Sequence, residues 1–258
     1  MSSHLAKALW KARTEGGAIP LDEGQRPASA DAAYVVQDEV TALFDGERVG
    51  WKLGATNQKT LDLLGFDQAF MGPLLSEHFH DSDQPVAVYP EHGPKLETEF
   101  LVRMAADLPP RKSAYSDAEV MAAVDYVGPA FEIVGCRLDV AFASGGLFLI
   151  ADGAANVAVI PGEPTADWRT ADLSDHPLRV AVNGKEVATG SSNLLMWGNP
   201  YAAVAYLLSH PRMAPQGLRA GDLIMTGTCG GLIPIAPGDE ATADFGVLGS
   251  VHLRLASD

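Results

Sequence analysis

The sequence predicts an α+β subunit: a mixed β-roll preceded by a small N-terminal part of helices and short strands. Three observations predict it. Helical periodicity with recognisable caps crowds into the first quarter of the chain. Short apolar runs of strand length, separated by Gly-, Pro- and Asn-containing turns, dominate the remainder. Only two capped helices interrupt those runs, a pattern of curled sheet with sparse helices rather than of alternating βαβ units. The 258 residues are enough for one large domain or two modest ones. The Asp/Ser/Pro composition of Asp81–Pro85 marks a soft boundary, giving an N-terminal region 1–80 and a β-roll catalytic domain 81–258.

The elements follow in order. Ser3 can cap a first helix carrying Leu5, Ala8, Leu9 and Ala12 on one face, ended by Gly16-Gly17. Asp31–Asp45 has Val36, Val40, Leu43 and Phe44 at helical spacing. Gly50–Gly54 is a short strand between glycines, and Thr56 or Asn57 caps a helix stopped by Gly65. Residues 66–93 read as loop and short strand. Strands are then expected at Lys95–Met104, Ala130–Cys136, Leu147–Ile150, Leu178–Val182, Glu186–Thr189, Asp222–Thr226, Glu240–Phe245 and Ser250–Leu255. Asn183-Gly184 between two of them is a strong hairpin signal. Ser116-x-x-Glu119 is a capping box opening a helix to about Tyr126, and Asn199-Pro200 opens another.

Composition excludes several classes of function. Net charge is −15, from 33 acidic and 18 basic residues, which argues against nucleic acid and against anionic membrane surfaces. No stretch is long and apolar enough to span a bilayer, and the N-terminus lacks a signal peptide's unbroken apolar core. Two cysteines, Cys136 and Cys229, make no disulfide framework and fit a reducing cytoplasm, the expected location.

Three glutamates carry the most chemistry. Glu97 and Glu99 lie two apart in a strand-like run, so their carboxylates share one face and repel each other. Glu132 sits alone in the apolar run Pro129–Val134, where an unpaired carboxylate costs several kcal/mol or takes up a proton. One shared cation resolves all three. An all-carboxylate set favours a hard octahedral ion, Mg²⁺ or Mn²⁺, with positions left for water or a chelating acid. The alternative is that Glu97 and Glu99 decorate a solvated face, and the sequence alone leaves open whether the two segments meet. A structural Ca²⁺ site fits less well, because Ca²⁺ usually recruits an Asp/Asn-rich loop. Cys229 reads as structural or pocket-lining, His78 and His80 as solvated loop residues, and Gly227–Gly231 lacks the lysine of a phosphate loop.

Taken together, ordered stretches along the chain resemble the fumarylacetoacetate hydrolase superfamily, in particular its hydratase/decarboxylase branch of 2-keto-4-pentenoate hydratases. They are Val49–Thr56, Leu64–Gln68, the Glu97/Glu99 strand, Gly128–Arg137 with Ala151-Asp152 after it, and Leu218–Gly227 running on to Pro237–Asp239 and Leu248–Val251. The resemblance implies the β-roll of that family's C-terminal domain, and Glu97, Glu99 and Glu132 as metal ligands. It implies Lys52 and Asp67 as catalytic residues, with Lys52, Asp152, Ser192 and Thr228 contacting a small 2-oxo or 2-hydroxy acid. It further implies a homo-oligomer, and addition of water to a 2-hydroxy-2,4-dienoate to give a 4-hydroxy-2-oxo acid, as in degradation of aromatic compounds. Decarboxylation of a 4-oxalocrotonate-type oxo-enedioate and C–C hydrolysis of an acylpyruvate are alternatives on the same site; a non-catalytic ligand-binding protein is a more distant one. The chain departs from hydratases at Phe66 and Ala69, at Gly153, in the bulky run Gly190–Pro200, and at Thr226–Gly231, which leans toward the hydrolases.

Overall fold

The computed structural model describes residues 3–20, 22–140, 142, 145–163 and 165–257. Two helices open it, α1 (His4–Glu15) and α2 (Ala30–Thr41), capped by the side chains of Ser3 and Ser29. The second ends at Thr41, earlier than its periodicity suggests, and Phe44 beyond it packs edge-on against Trp10 at 6.2 Å between ring centroids. Strand β1 (Arg48–Gly54) leads to α3 (Gln58–Leu64), which Asn57 caps and a left-handed Gly65 ends. Strands β2 (Phe70–Leu75), β3 (Lys95–Met104), β4 (Val124–Val134) and β5 (Asn156–Pro161) follow, with helices α4 (Asp117–Ala122) and α5 (Leu147–Ala151) between them. The rest comprises β6 (Pro177–Val182), β7 (Lys185–Ser191), α6 (Pro200–Ser209), β8 (Leu223–Met225), β9 (Ile233–Pro234), β10 (Glu240–Asp244) and β11 (Ser250–Arg254).

Local expectations also fail elsewhere. Leu147–Ala151 is a helix, not a strand: a short apolar run buried on every side has no periodicity to tell the two apart. The capping box at Ser116 forms, but α4 stops at Ala122 because β4 begins at Val124 and pairs with the far end of β3. Strand β5 was not expected at all, whereas β2 is a short strand within 66–93 as read, buried along its whole length and so without alternation.

Two sheets organise the chain. The larger has seven strands in the order β2-β1-β8-β3-β4-β5, with β9 added on β3; the smaller is an antiparallel β11-β10-β6-β7. In the large sheet only β1 and β8 run parallel. The result is the mixed α+β fold with a curled sheet that the composition of elements predicts. Among the described residues no helix is long and apolar enough to cross a membrane.

The two faces of the large sheet differ. Residues paired directly across strands share a face, so the register sorts the side chains. One face carries Trp51, Leu53, Phe100, Val102, Phe131, Ile133, Ile160 and Ile224, all buried in the main core. The other carries Lys52, Gly72, Leu74, Glu97, Glu99, Leu101, Gly128, Ala130, Glu132, Val159 and Met225. Five of these, Leu74, Leu101, Ala130, Val159 and Met225, form a separate small apolar cluster.

Candidate active site

Register brings the three glutamates together. In the β3–β4 pairing Glu97 stands directly opposite Glu132, and Glu99 opposite Ala130, so all three carboxylates rise from one face. One oxygen from each lies within 4.8 Å of the others. Like charges placed directly across strands are unfavourable, and Glu99 and Glu132 are fully buried while Glu97 keeps partial access to solvent.

Two of these carboxylates have one oxygen held and one free. Glu99 Oε2 accepts the Gly227 N–H at 2.7 Å. Glu132 Oε1 accepts Asn156 Nδ2 at 2.8 Å and faces Lys52 Nζ at 3.0 Å. Glu99 Oε1 and Glu132 Oε2 are buried with no partner among the described residues. A buried oxygen of an ionised carboxylate without a donor is costly. Two such oxygens beside a third carboxylate fit a divalent cation bound by hard oxygen donors.

Lys52 reaches this cluster from β1, two strands removed from β3 in the sheet. Three strand spacings of a flat sheet would separate β1 from β4 by roughly 14 Å, so a 3.0 Å contact between Lys52 and Glu132 requires the curl. Gly72 on the same face admits the neighbouring turn: a Cβ there would lie 2.6 Å from the Gly153 carbonyl oxygen. Lys52 Nζ also donates to the Ala154 carbonyl at 3.1 Å. Trp51 points to the opposite face, as alternation predicts, and carries the Arg48 guanidinium at 4.3 Å over its ring. Gly50 lies where β1 meets its parallel neighbour. Its role is to admit β8: a Cβ there would lie 1.9 Å from the Leu223 carbonyl oxygen. Gly227 needs its φ of +107°, and a Cβ would strike Thr56; glycine therefore permits the turn that aims its N–H at Glu99.

Burial sets the charge state. It raises Glu97 to about 7, with Glu132 adding to the rise and Lys52 opposing it. Glu99 is driven well above the usual carboxylate range, by burial first and then by Glu132 and Glu97. Burial alone would lower Lys52, but Glu132, Glu97 and Glu99 outweigh it, so the ammonium is held above its ordinary value. Burial and mutual repulsion thus favour the protonated forms of Glu97 and Glu99, beside a lysine held charged.

A sequence model of the fumarylacetoacetate (FAA) hydrolase C-terminal family matches residues 57–256. The chain belongs to the fumarylacetoacetate hydrolase family. It is similar to a 2-keto-4-pentenoate hydratase of Paraburkholderia xenovorans, 30% identical over 98% of this chain and 94% of that protein. It is also similar to a 4-oxalocrotonate decarboxylase of Pseudomonas putida, 30% identical over 86% of this chain and 84% of that one. Among solved structures, 4-oxalocrotonate decarboxylase from Pseudomonas putida G7 complexed with magnesium and adipate superposes with a TM-score of 0.88 at 27% identity, covering 97% of this chain and 95% of that chain. These likenesses place the chain in the hydratase/decarboxylase branch of the family.

Within this family member, the other residues singled out in the sequence scatter. Asp67 is exposed and lines a cavity of about 280 Å³ with Tyr34, Phe66, Phe70 and His210. Asp152 is buried and paired with Arg137 at 3.0 Å and Arg13 at 3.3 Å. Ser192 is buried, its hydroxyl accepting the His176 N–H at 2.8 Å, and Thr228 donates to the Gly231 carbonyl at 3.0 Å. Cys229 is buried, and its thiol is raised well above its ordinary value by burial, then by Glu99 and Glu97. His78, read as solvated, is buried: its Nε2 accepts from Arg13 at 3.0 Å, and burial then Arg13 hold it well below its ordinary value. Asn156 was missed altogether. A lone Asn opening the apolar run Val157–Ile160 is the signal that could have found it, since a buried amide demands partners.

Proposed function

We propose that this chain is a divalent-metal-dependent hydratase that adds water to a 2-hydroxy-2,4-dienoate and yields a 4-hydroxy-2-oxo acid. The observation that carries the reading is the pair of unpartnered buried oxygens, Glu99 Oε1 and Glu132 Oε2, beside Glu97 and the Lys52 ammonium. Similarity over nearly the whole length to a 2-keto-4-pentenoate hydratase supports the substrate class. Glu97, Glu99 and Glu132 hold the ion, and Mg²⁺ or Mn²⁺ suits three carboxylate oxygens best. Bound there, such an ion supplies Lewis-acid stabilisation of negative charge on a chelating oxygen.

The chain's own groups do the rest. Lys52, kept protonated by the surrounding carboxylates, offers Nζ–H to the substrate carboxylate or to the carbon that is protonated on ketonisation. Leu74, Leu101, Val159 and Met225 floor the inner face with apolar surface and exclude water from one side of an extended dienoate. Water then adds to the conjugated double bond, and a proton is returned to the neighbouring carbon. Asp67, Asp152, Ser192 and Thr228 remain candidates for catalysis or substrate contact, with Asp152 acting through its arginine partners.

A second reading, decarboxylation of a 2-oxo-enedioate, is favoured by the full-length match to a decarboxylase structure. One experiment separates the two: the protein is incubated with Mg²⁺ and, in parallel, a 2-hydroxydienoate, a 2-oxo-enedioate and an acylpyruvate, with products followed by mass. Gain of 18 mass units on the dienoate supports the hydratase. Loss of 44 units from the enedioate alone supports the decarboxylase, and turnover of neither, with the acylpyruvate cleaved, supports a hydrolase.

A further inference from the structure

Glu132 does not orient itself. Its Oε1 is fixed by Asn156 and Lys52, and both partners depend on the short segment 152–156 between α5 and β5. That segment is unusual. Gly153, Ala154 and Ala155 have φ of +63°, +59° and +63°, a left-handed run that residues with a Cβ adopt only when their surroundings impose it.

Two buried guanidiniums impose it. Arg137 donates to the Asn156 carbonyl at 2.8 Å and to Asp152 Oδ2 at 3.0 Å. Arg13, arriving from α1, donates to the same Asn156 carbonyl at 3.0 Å, to the Asp152 carbonyl at 3.1 Å and to Asp152 Oδ1 at 3.3 Å. Each arginine therefore grips both ends of the left-handed turn. The turn delivers two groups to the site: the Ala154 carbonyl to Lys52 Nζ, and the Asn156 amide N–H to Glu132.

Two details speak against a role in stability alone. Burial, then the like charge of Arg137, hold Arg13 down to about 10, so packing two guanidiniums around one carboxylate is electrostatically unfavourable. Asn156 Oδ1 has no protein partner among the described residues, so the amide is committed to Glu132 at one end and unsatisfied at the other.

We infer that Asn156 and the Arg13–Asp152–Arg137 clamp are positioning residues for the catalytic centre. Asn156 ties down Glu132 Oε1 and thereby presents Oε2 to the cation. The clamp sets where the Ala154 carbonyl holds the Lys52 ammonium. The N-terminal helix, through Arg13, is thus a working part of the site. This inference rests on the metal-enzyme reading given above.

The test compares Asn156→Ala and Arg13→Lys with the unaltered protein and with Glu97→Gln. Mg²⁺ affinity is measured by calorimetry on protein shown to be folded by circular dichroism, and kcat and KM are measured at saturating Mg²⁺. Loss of an outer partner of a metal ligand typically weakens affinity about 10–100-fold, and that range is expected for Asn156→Ala, with kcat falling more than KM changes. Arg13→Lys keeps the charge but cannot bridge Asn156 and Asp152 together; it should shift Mg²⁺ affinity and kcat the same way by a smaller factor. If Asn156→Ala does not fold, Arg13→Lys decides alone. Wild-type Mg²⁺ affinity and kcat in a folded variant, while Glu97→Gln has lost Mg²⁺, overturn the inference and leave the metal reading standing. If Glu97→Gln also binds Mg²⁺ normally, the metal reading fails and this inference with it.

Discussion

Trp51 and Lys52 are neighbours on one strand, as are Phe131 and Glu132 on another, yet each pair divides between the two faces of the seven-stranded sheet. The first member joins the main core and the second the carboxylate site. The core face is built from large side chains packed against helices and the second sheet. The inner face has a small apolar cluster, one ammonium and three crowded carboxylates, an arrangement that opposes stability and that the proposed cation would relieve. A period of two therefore lets one strand serve stability and chemistry at once. The two demands should be separable by mutation.

The largest separation is expected at Phe131 and Glu132. Phe131 is fully buried in the main core, and Phe131→Ala should lower unfolding free energy by about 3–5 kcal/mol in a denaturant titration. It should leave Mg²⁺ affinity nearly unchanged under conditions where the variant is folded. An equal loss of stability in Glu132→Gln would break the division between the faces, because that residue is assigned to binding.

Next in size is the effect at Lys52. If its ammonium delivers a proton, Lys52→Arg should lower kcat by about 100-fold or more with KM little altered, since a guanidinium does not release a proton near neutral pH. Retained kcat with a raised KM would instead assign Lys52 to holding the substrate carboxylate.

A smaller effect is expected from pH in metal-free protein. Glu97 is raised from 4.5 to about 7 in the folded state, so the unfolded chain loses this proton first as pH rises. Its contribution to stability is intact below about 4.5, falls between there and about 7, and is fully lost above. Relative to Glu97→Gln, the metal-free protein should therefore lose melting temperature across that window, and saturating Mg²⁺ should abolish that loss in the unaltered protein, because the ion replaces the proton. Parallel melting curves of the two proteins across the window would contradict this.

Much of the fold was legible in sequence where the signal is local. Ser3, Asn57, Ser116 and Asn199 cap helices because a short polar side chain can meet a free backbone N–H at a helix start. Alternation gave the bounds of β3, and Asn183-Gly184 gave the hairpin between β6 and β7, with both turn residues at positive φ. Leu147–Ala151 was misread because an evenly buried run carries no period. At the site, Glu97 and Glu99 sharing a face could be read from spacing, but their facing Glu132 depends on strand register, which is a property of distant segments. Arg13 and the Ala154 carbonyl were beyond reach for the same reason, their partners lying far away along the chain, and the lone Asn156 could at most have been flagged as needing a partner, not paired with Glu132.

In the proposed site, Glu97, Glu99 and Glu132 bind one cation through the oxygens the protein leaves unpaired. Crystals of the protein grown with Mn²⁺, examined by anomalous diffraction, test it most directly. A single peak is expected on the inner face of the large sheet, bonded to Glu97, to Glu99 Oε1 and to Glu132 Oε2 at slightly more than the ~2.1 Å typical of Mg²⁺. Asn156 and Lys52 should still hold Glu132 Oε1, and Gly227 should still hold Glu99 Oε2. A peak elsewhere, or one bonded to Glu132 Oε1 with Asn156 displaced, would contradict it.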